Sequence, residues 1–218
     1  MFDRSMCCRC SVLPVRLALL LSGVAACQGV SAQDGDPEGA GLKTARIVRV
    51  AAAPVIDGQL DESVWSQAIP IEDLHQINPI EYADPTVESR VYLLYTEDAL
   101  YIGARLSDSD AGDITSRILR QGESIVADDF FGVVLDPFND RRSGYRFGVN
   151  ANGVRDDLLY QNTSQSHRNW EGIWRAAASR NDEGWVAEME IPFKTLSFNP
   201  ANDTWGINFM RWVPRKNE

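Results

Sequence analysis

Cysteine is missing from most of this sequence: Cys7, Cys8, Cys10 and Cys27 are all of it, and all lie near the start. A chain cleaved beyond Cys27 has no disulfide, no thiol nucleophile and no thiolate metal site, so its core alone must hold it. Histidine is nearly missing too. His75 and His167 stand far from each other and from any Cys, which leaves a zinc site or a Ser-His relay little footing. No glycine-rich phosphate loop occurs. Long apolar runs are absent: Leu17 to Ala26 is the main one, too short for a permanent membrane anchor. Basic charge is in deficit, with a formal net charge of -10 that becomes -12 when residues 1–32 are set aside. Such a field repels phosphate backbones and anionic lipid, so nucleic acid is excluded as a partner, whereas neutral sugars and divalent cations remain compatible.

The apolar run has a context. Arg4, Arg9 and Arg16 precede or flank it, and Val30-Ser31-Ala32 offers a small-x-small cleavage site before Gln33. That order predicts a secretory signal peptide over residues 1–32. Val24-Ala25-Ala26-Cys27 also matches a bacterial lipobox, in which Cys27 would carry lipid and start the mature chain. Residues 33–45 are polar and glycine-rich and read as a linker.

From residue 46 onward the pattern has period two. Val87, Ser89, Val91, Leu93 and Tyr95 share one strand face, and Leu100, Ile102, Ala104 and Leu106 resume the alternation after a polar turn at 96–99. The two read as an antiparallel hairpin. Further strands are predicted from Phe131 to Leu135, Tyr145 to Ala151, Val154 to Tyr160, Trp174 to Ala178, Trp185 to Ile191 and Trp205 to Phe209. Asp136-Pro137, Asn152-Gly153 and 181–184 mark turns between them. Helix signals are confined to Asp61 to Gln67, with Asp61 as N-cap, and a single turn from Phe193 to Leu196. Many short strands with few helices predict an all-β domain, a two-sheet antiparallel β-sandwich or a barrel, over 46–218. Hydrophobic residues make up 44% of the chain, enough for a real core.

Three constellations carry chemistry. Trp170 and Trp174 bracket Glu171 beside the polar loop 162–169. An indole offers a flat apolar face to the C–H face of a sugar ring, and neighbouring carboxylates and amides take its hydroxyls. Trp174 also begins an alternating strand, which suits a core plug equally. Asp108, Asp110 and Asp113 cluster oxygens as calcium prefers, without the spacing of an EF-hand, so a solvated turn competes with a metal site. Asp128, Asp129, Asp156, Asp157, Glu188 and Glu190 supply carboxylates for glycoside hydrolysis, but a single sequence does not pair them across a cleft. Glu188 and Glu190 read as one solvated strand face.

Together, several stretches resemble the carbohydrate-binding module family nine group: Val55-Ile56-Asp57-Gly58-Gln59-Leu60-Asp61-Glu62-Ser63-Val64-Trp65, then Asp128-Asp129-Phe130-Phe131 to Leu135-Asp136-Pro137, Gly144-Tyr145-Arg146-Phe147 to Asn150, and Gly184-Trp185 with Glu188 and Ile191-Pro192-Phe193. The resemblance covers about residues 46–218. It implies a jelly-roll β-sandwich, binding of an oligosaccharide or polysaccharide chain end, structural calcium in some members, and a link to carbohydrate catabolism through an attached glycosidase. It implies a place at the N-terminus of an exported protein of a Gram-negative bacterium, in the periplasm or at the outer membrane, with a barrel-like region following Glu218. It matches Trp170 and Trp174 to the subgroup's Trp pair, Asp129, Asn150 and Arg146 to polar positions near the site, and Trp65, Trp185 and Trp205 to structural positions. The expectation is therefore a binding module with no catalytic residue of its own and no required cofactor, with Trp170, Trp174, Glu171, Asp129, Asn150 and Arg146 at the sugar. The alternatives are an interaction domain of an outer-membrane barrel protein and a glycoside hydrolase.

Overall fold

The computed structural model describes residues 43–218 apart from Ser164, together with the backbone of Cys8–Arg9. Most of the expected signal peptide and linker, including Cys27, lies outside the described residues. The strands in chain order are β1 (Cys8–Arg9), β2 (Val48–Arg49), β3 (Ser89–Tyr95), β4 (Ala99–Ser107), β5 (Phe130–Asp136), β6 (Gly144–Asn150), β7 (Arg155–Gln161), β8 (Gln165–His167), β9 (Arg175–Asn181), β10 (Gly184–Pro192) and β11 (Gly206–Trp212). They form two sheets, one ordered β1-β11-β5-β6-β7-β8 and the other β2-β3-β4-β10-β9. All pairings are antiparallel except the short parallel β2–β3 contact.

The alternation decides which residues meet. Val91, Leu93, Ile102 and Ala104 of one sheet, with Ala187 and Met189 beside them, face Phe131, Val133, Phe147 and Val149 of the other. This is the sandwich core, and its inward positions are those expected from the period-two pattern. The turns follow their residues. Gly184 holds φ +138°, where a Cβ would lie 2.1 Å from the carbonyl oxygen of Leu106, so only glycine closes the β9–β10 hairpin.

Both helix signals are realised as short 3-10 turns, and only the cap differs from expectation. Ser63–Gln67 is a 3-10 turn, and its N-cap is Glu62 with no side-chain cap bond. Asp61 does not cap it. Phe193–Thr195 is likewise a 3-10 turn. No helix among the described residues is long and apolar enough to cross a membrane, which says nothing about crossing by strands.

A second apolar layer covers the outer face of the smaller sheet, where Leu60 and Trp65 pack against Leu94, Tyr101 and Val186. Gly103 makes room for it: a Cβ there would lie 2.5 Å from Leu60 and 3.2 Å from the Trp65 ring. This layer explains why β4 is buried on both faces through Ala104.

Candidate functional site

Glu188 is fully buried under that second layer, so the expectation of a solvated Glu188–Glu190 face does not hold for Glu188. Its Oε2 accepts hydrogen bonds from the backbone N–H groups of Asp57 and Gly58, at 3.0 and 2.7 Å. Its Oε1 accepts one from the Trp65 indole at 3.2 Å. Burial pushes the carboxyl up to about 7, against the downward pull of the two backbone donors. The residues from Ile56 to Trp65 thus form a clasp on one buried acid, and Glu188 is structural. Glu190 pairs with Arg175 at the surface.

The other acids are also engaged by the protein. Asp128 accepts from the N–H groups of Arg117 and Ile118, at 2.9 and 3.0 Å. Asp129 accepts from that of Thr115 at 2.8 Å. Asp157 accepts from the Gly172 N–H and, at 3.3 Å, from the Trp174 indole. Asp108 binds Arg215 through both oxygens at 2.5 Å. Burial raises the Asp108 carboxyl, but the Arg215 hydrogen bond and its other partners bring it below the usual range. With both Asp108 oxygens on a guanidinium and with Asp110 and Asp113 exposed, the expected calcium set does not fit a cation. Among the described residues no group of three or more His, Cys, Asp or Glu side chains is arranged to hold a metal.

The six residues expected at a sugar site fall into separate places. Trp174 is 3% exposed and packs edge-on against Phe147 in the core. Trp170 is half-buried, with its ring 5.0 Å from Tyr145 and 5.8 Å from Phe147. Both pack against the inner face of the larger sheet, and Glu171 is exposed on the loop between them. Asn150 is wholly buried. Its amide donates to Asp128 at 2.8 Å and to the Ile118 carbonyl at 3.0 Å, and its oxygen accepts from the N–H groups of Asn152 and Val154. Asn150 and Asp129 therefore hold loops. Arg146 shares the outer face of the larger sheet with Asn150, four residues later on the same strand, and stands apart from the others.

That outer face carries an unusual row. Because Ile207, Phe209, Tyr145 and Phe147 point into the core, Asn208 and Arg146 point away from it. The register runs Asn208 to Val134, Val134 to Arg146, and Arg146 to Leu158. Asn208 and Arg146 are thus two strands apart, roughly 10 Å at the backbone. The next row runs Met210, Gly132, Gly148, Asp156. Arg146 pairs with Asp156, and Arg168 lies 4.0 Å from the other Asp156 oxygen. Burial raises the Asp156 carboxyl against the pull of Arg146 and Arg168. Arg146 Nε and Asn208 Oδ1 are buried and have no hydrogen-bond partner. Such orphaned groups are uncommon and costly, so a donor and an acceptor on one row form a candidate site for groups that both accept and donate. Asn208 and Met210 are half-buried and Arg168 is exposed, so the row is not sealed.

Sequence reasoning picked out Arg146 and missed Asn208. An Asn alternating with Ile207 and Phe209 reads as an ordinary solvent-facing position, and nothing in the pattern shows that its oxygen lacks a partner.

A family profile described as carbohydrate family 9 binding domain-like matches residues 56–216. Among solved structures, a candidate carbohydrate-binding protein from Bacteroides uniformis is similar at 13% identity, with 78% of this chain and 83% of that chain covered and a TM-score of 0.59. A carbohydrate binding module family 9 from Caldicellulosiruptor kristjanssonii, in complex with cellotriose, shares 21% identity over 76% of each chain at a TM-score of 0.49. Its complex with glucose gives 21% identity, 76% of this chain, 78% of that chain and 0.48. At 13% identity the likeness to the Bacteroides uniformis protein is one of fold. No curated protein sequence matches the chain.

Proposed function

The chain belongs to the carbohydrate family 9 binding domain-like family, and on that premise we propose that it binds a neutral oligosaccharide or polysaccharide chain end on the outer face of its larger sheet. The observation that carries the reading is the pair of orphaned groups, Arg146 Nε and Asn208 Oδ1, on one row of that face. Both atoms are closed to solvent in the free chain; a sugar hydroxyl that reached them would accept from the first and donate to the second, so one class of ligand satisfies both. The Arg146–Asp156 pair fixes the guanidinium, while the neighbouring row is covered by Met210 over Gly132 and by Ile125 over Gly148. The acidic balance of the chain favours a neutral ligand over an anionic one.

In this proposal the chain is a binding module and any glycosidic cleavage belongs to an attached or partner domain. Support comes from the carboxylates themselves: Asp128, Asp129, Asp156, Asp157 and Glu188 are each held by protein donors. Export is part of the same reading, supported by the basic, apolar and small-residue order of residues 1–32. So is a role in carbohydrate catabolism at the periplasm or outer membrane, beside a barrel-like region.

The test is calorimetric titration of the purified chain with a panel of neutral oligosaccharides, repeated on Arg146→Lys, which keeps the charge and removes Nε as a guanidinium donor. Saturable binding weakened by Arg146→Lys and unaffected by Trp170→Ala is the expected result. Binding lost with Trp170→Ala and kept with Arg146→Lys moves the site to the Trp170–Glu171 loop. No binding by a folded protein favours the interaction-domain alternative.

A further inference from the structure

A cavity of about 440 Å³ opens at the other end of β11, between the segment from Leu74 to Ser89 and the strand's C-terminal residues. We propose that this cavity is a second binding site, for a small neutral alcohol with an aromatic or alkyl body. The proposal does not rest on the sugar reading. The volume lies within the range of about 300–1,000 Å³ usual for small-molecule pockets. Phe130, Phe209, Met210 and Trp212 make its wall apolar. At its rim Ile77 and Val126 are 54% and 47% exposed, and Ile80 and Tyr82 of the same loop are exposed as well. Ile77 and Val126, exposed and apolar at the opening, mark a place where apolar matter is received.

Two polar groups on the lining set the ligand's polar end. Gln76 is 8% exposed, and its Nε2 donates to the Asp84 carbonyl at 2.8 Å while its Oε1 has no partner. Arg211 donates through Nη1 and Nη2 to the carbonyls of Glu88 and Ser107, and its Nε has no partner. One acceptor and one donor suit a hydroxyl. A carboxylate suits neither Gln76 Oε1 nor the Glu218 carboxylate that also lines the cavity, and the Arg211 charge already faces Asp108 at 3.9 Å.

The experiment follows the Trp212 indole and the Gln76 side-chain amide by NMR in the full chain, titrated with benzyl alcohol, toluene and benzoate. Benzyl alcohol is expected to shift both signals saturably, with toluene and benzoate each at least tenfold weaker. Gln76→Leu is expected to erase the preference for benzyl alcohol over toluene. Val126→Glu, at a half-exposed rim position, is expected to abolish binding in a folded protein. Asn208→Leu is expected to leave it unchanged, which separates this site from the sheet face. The proposal is overturned if benzyl alcohol produces no saturable shift at Trp212, if benzoate or toluene binds equally well, or if folded Val126→Glu binds as the parent does.

Discussion

Asn208 and Asn150 are the same residue type on the same sheet face, and the account requires them to respond oppositely to one substitution. Asn150 makes four hydrogen bonds with both ends of its amide. Replacing it by Leu leaves Asp128 and the N–H groups of Asn152 and Val154 short of a partner, at about 1–3 kcal/mol for each buried group left unsatisfied. Asn150→Leu should therefore lose roughly 3–5 kcal/mol. Asn208 Oδ1 is buried with no partner, so its desolvation is already a cost in the free protein. Asn208→Leu removes that cost at similar volume. It should be neutral or gain about 1–2 kcal/mol, the latter raising Tm by roughly 2–8 °C for a chain of this size. The same substitution should weaken sugar binding by roughly 5- to 30-fold, the loss of one ligand hydrogen bond of about 1–2 kcal/mol. Urea denaturation of both variants, beside titration of Asn208→Leu, reads all three quantities. If Asn208→Leu destabilises the chain as much as Asn150→Leu, Asn208 is satisfied in the free protein and the argument for the row fails.

Glu188 makes stability depend on pH. Its folded pKa of about 7 lies above the ordinary carboxylate value, so the folded state holds its proton longer than the unfolded state. Its stabilising contribution is complete at acid pH and falls as pH rises from about 4.5 to 7, by roughly 3 kcal/mol at most at about 1.4 kcal/mol per pH unit. Glu188→Gln should flatten that part of the denaturation profile, and an unchanged slope would refute the assignment. Gly103→Ala forces a methyl into Leu60 and Trp65 and should cost about 1–3 kcal/mol in chemical denaturation. Arg215→Met leaves the Asp108 carboxylate, with a fully buried side chain, only the Asp110 N–H at 2.9 Å and the more distant Arg211. It should cost about 3–5 kcal/mol, part of which Asp108→Asn on the same background recovers.

Much of the fold was legible because burial on one face imposes period two. The alternation of Val91, Leu93, Ile102 and Ala104, and of Phe131, Val133, Phe147 and Val149, identified strands and core positions together. It failed where both faces are covered. Glu188 occupies an outward position, and only the folded-back segment carrying Gly58 and Trp65 turns that position into an interior one. The turn at Ser63–Gln67 was anticipated but its cap was not: Asp61 was expected, whereas the N-cap is Glu62, whose carboxylate is committed to the Val55 N–H at 2.8 Å. The candidate site was less legible than the fold. Trp170 and Trp174 have the composition of a sugar platform, yet Tyr145 and Phe147 pack against them. Composition does not say which side of an aromatic ring is free. Arg146 was visible only through the resemblance, which matches it to a polar position near the site. The missing partner of Asn208 is a property of three-dimensional neighbours and has no counterpart in the chain's pattern.

The central claim is that this chain holds a neutral sugar on the Arg146–Asn208 row. It is tested most directly by calorimetric titration of the purified chain and of its Asn208→Leu variant against the oligosaccharide panel. The account predicts saturable binding by the parent and clearly weaker binding by a variant at least as stable. Equal affinity of the two, or no binding by a folded parent across the panel, would contradict it.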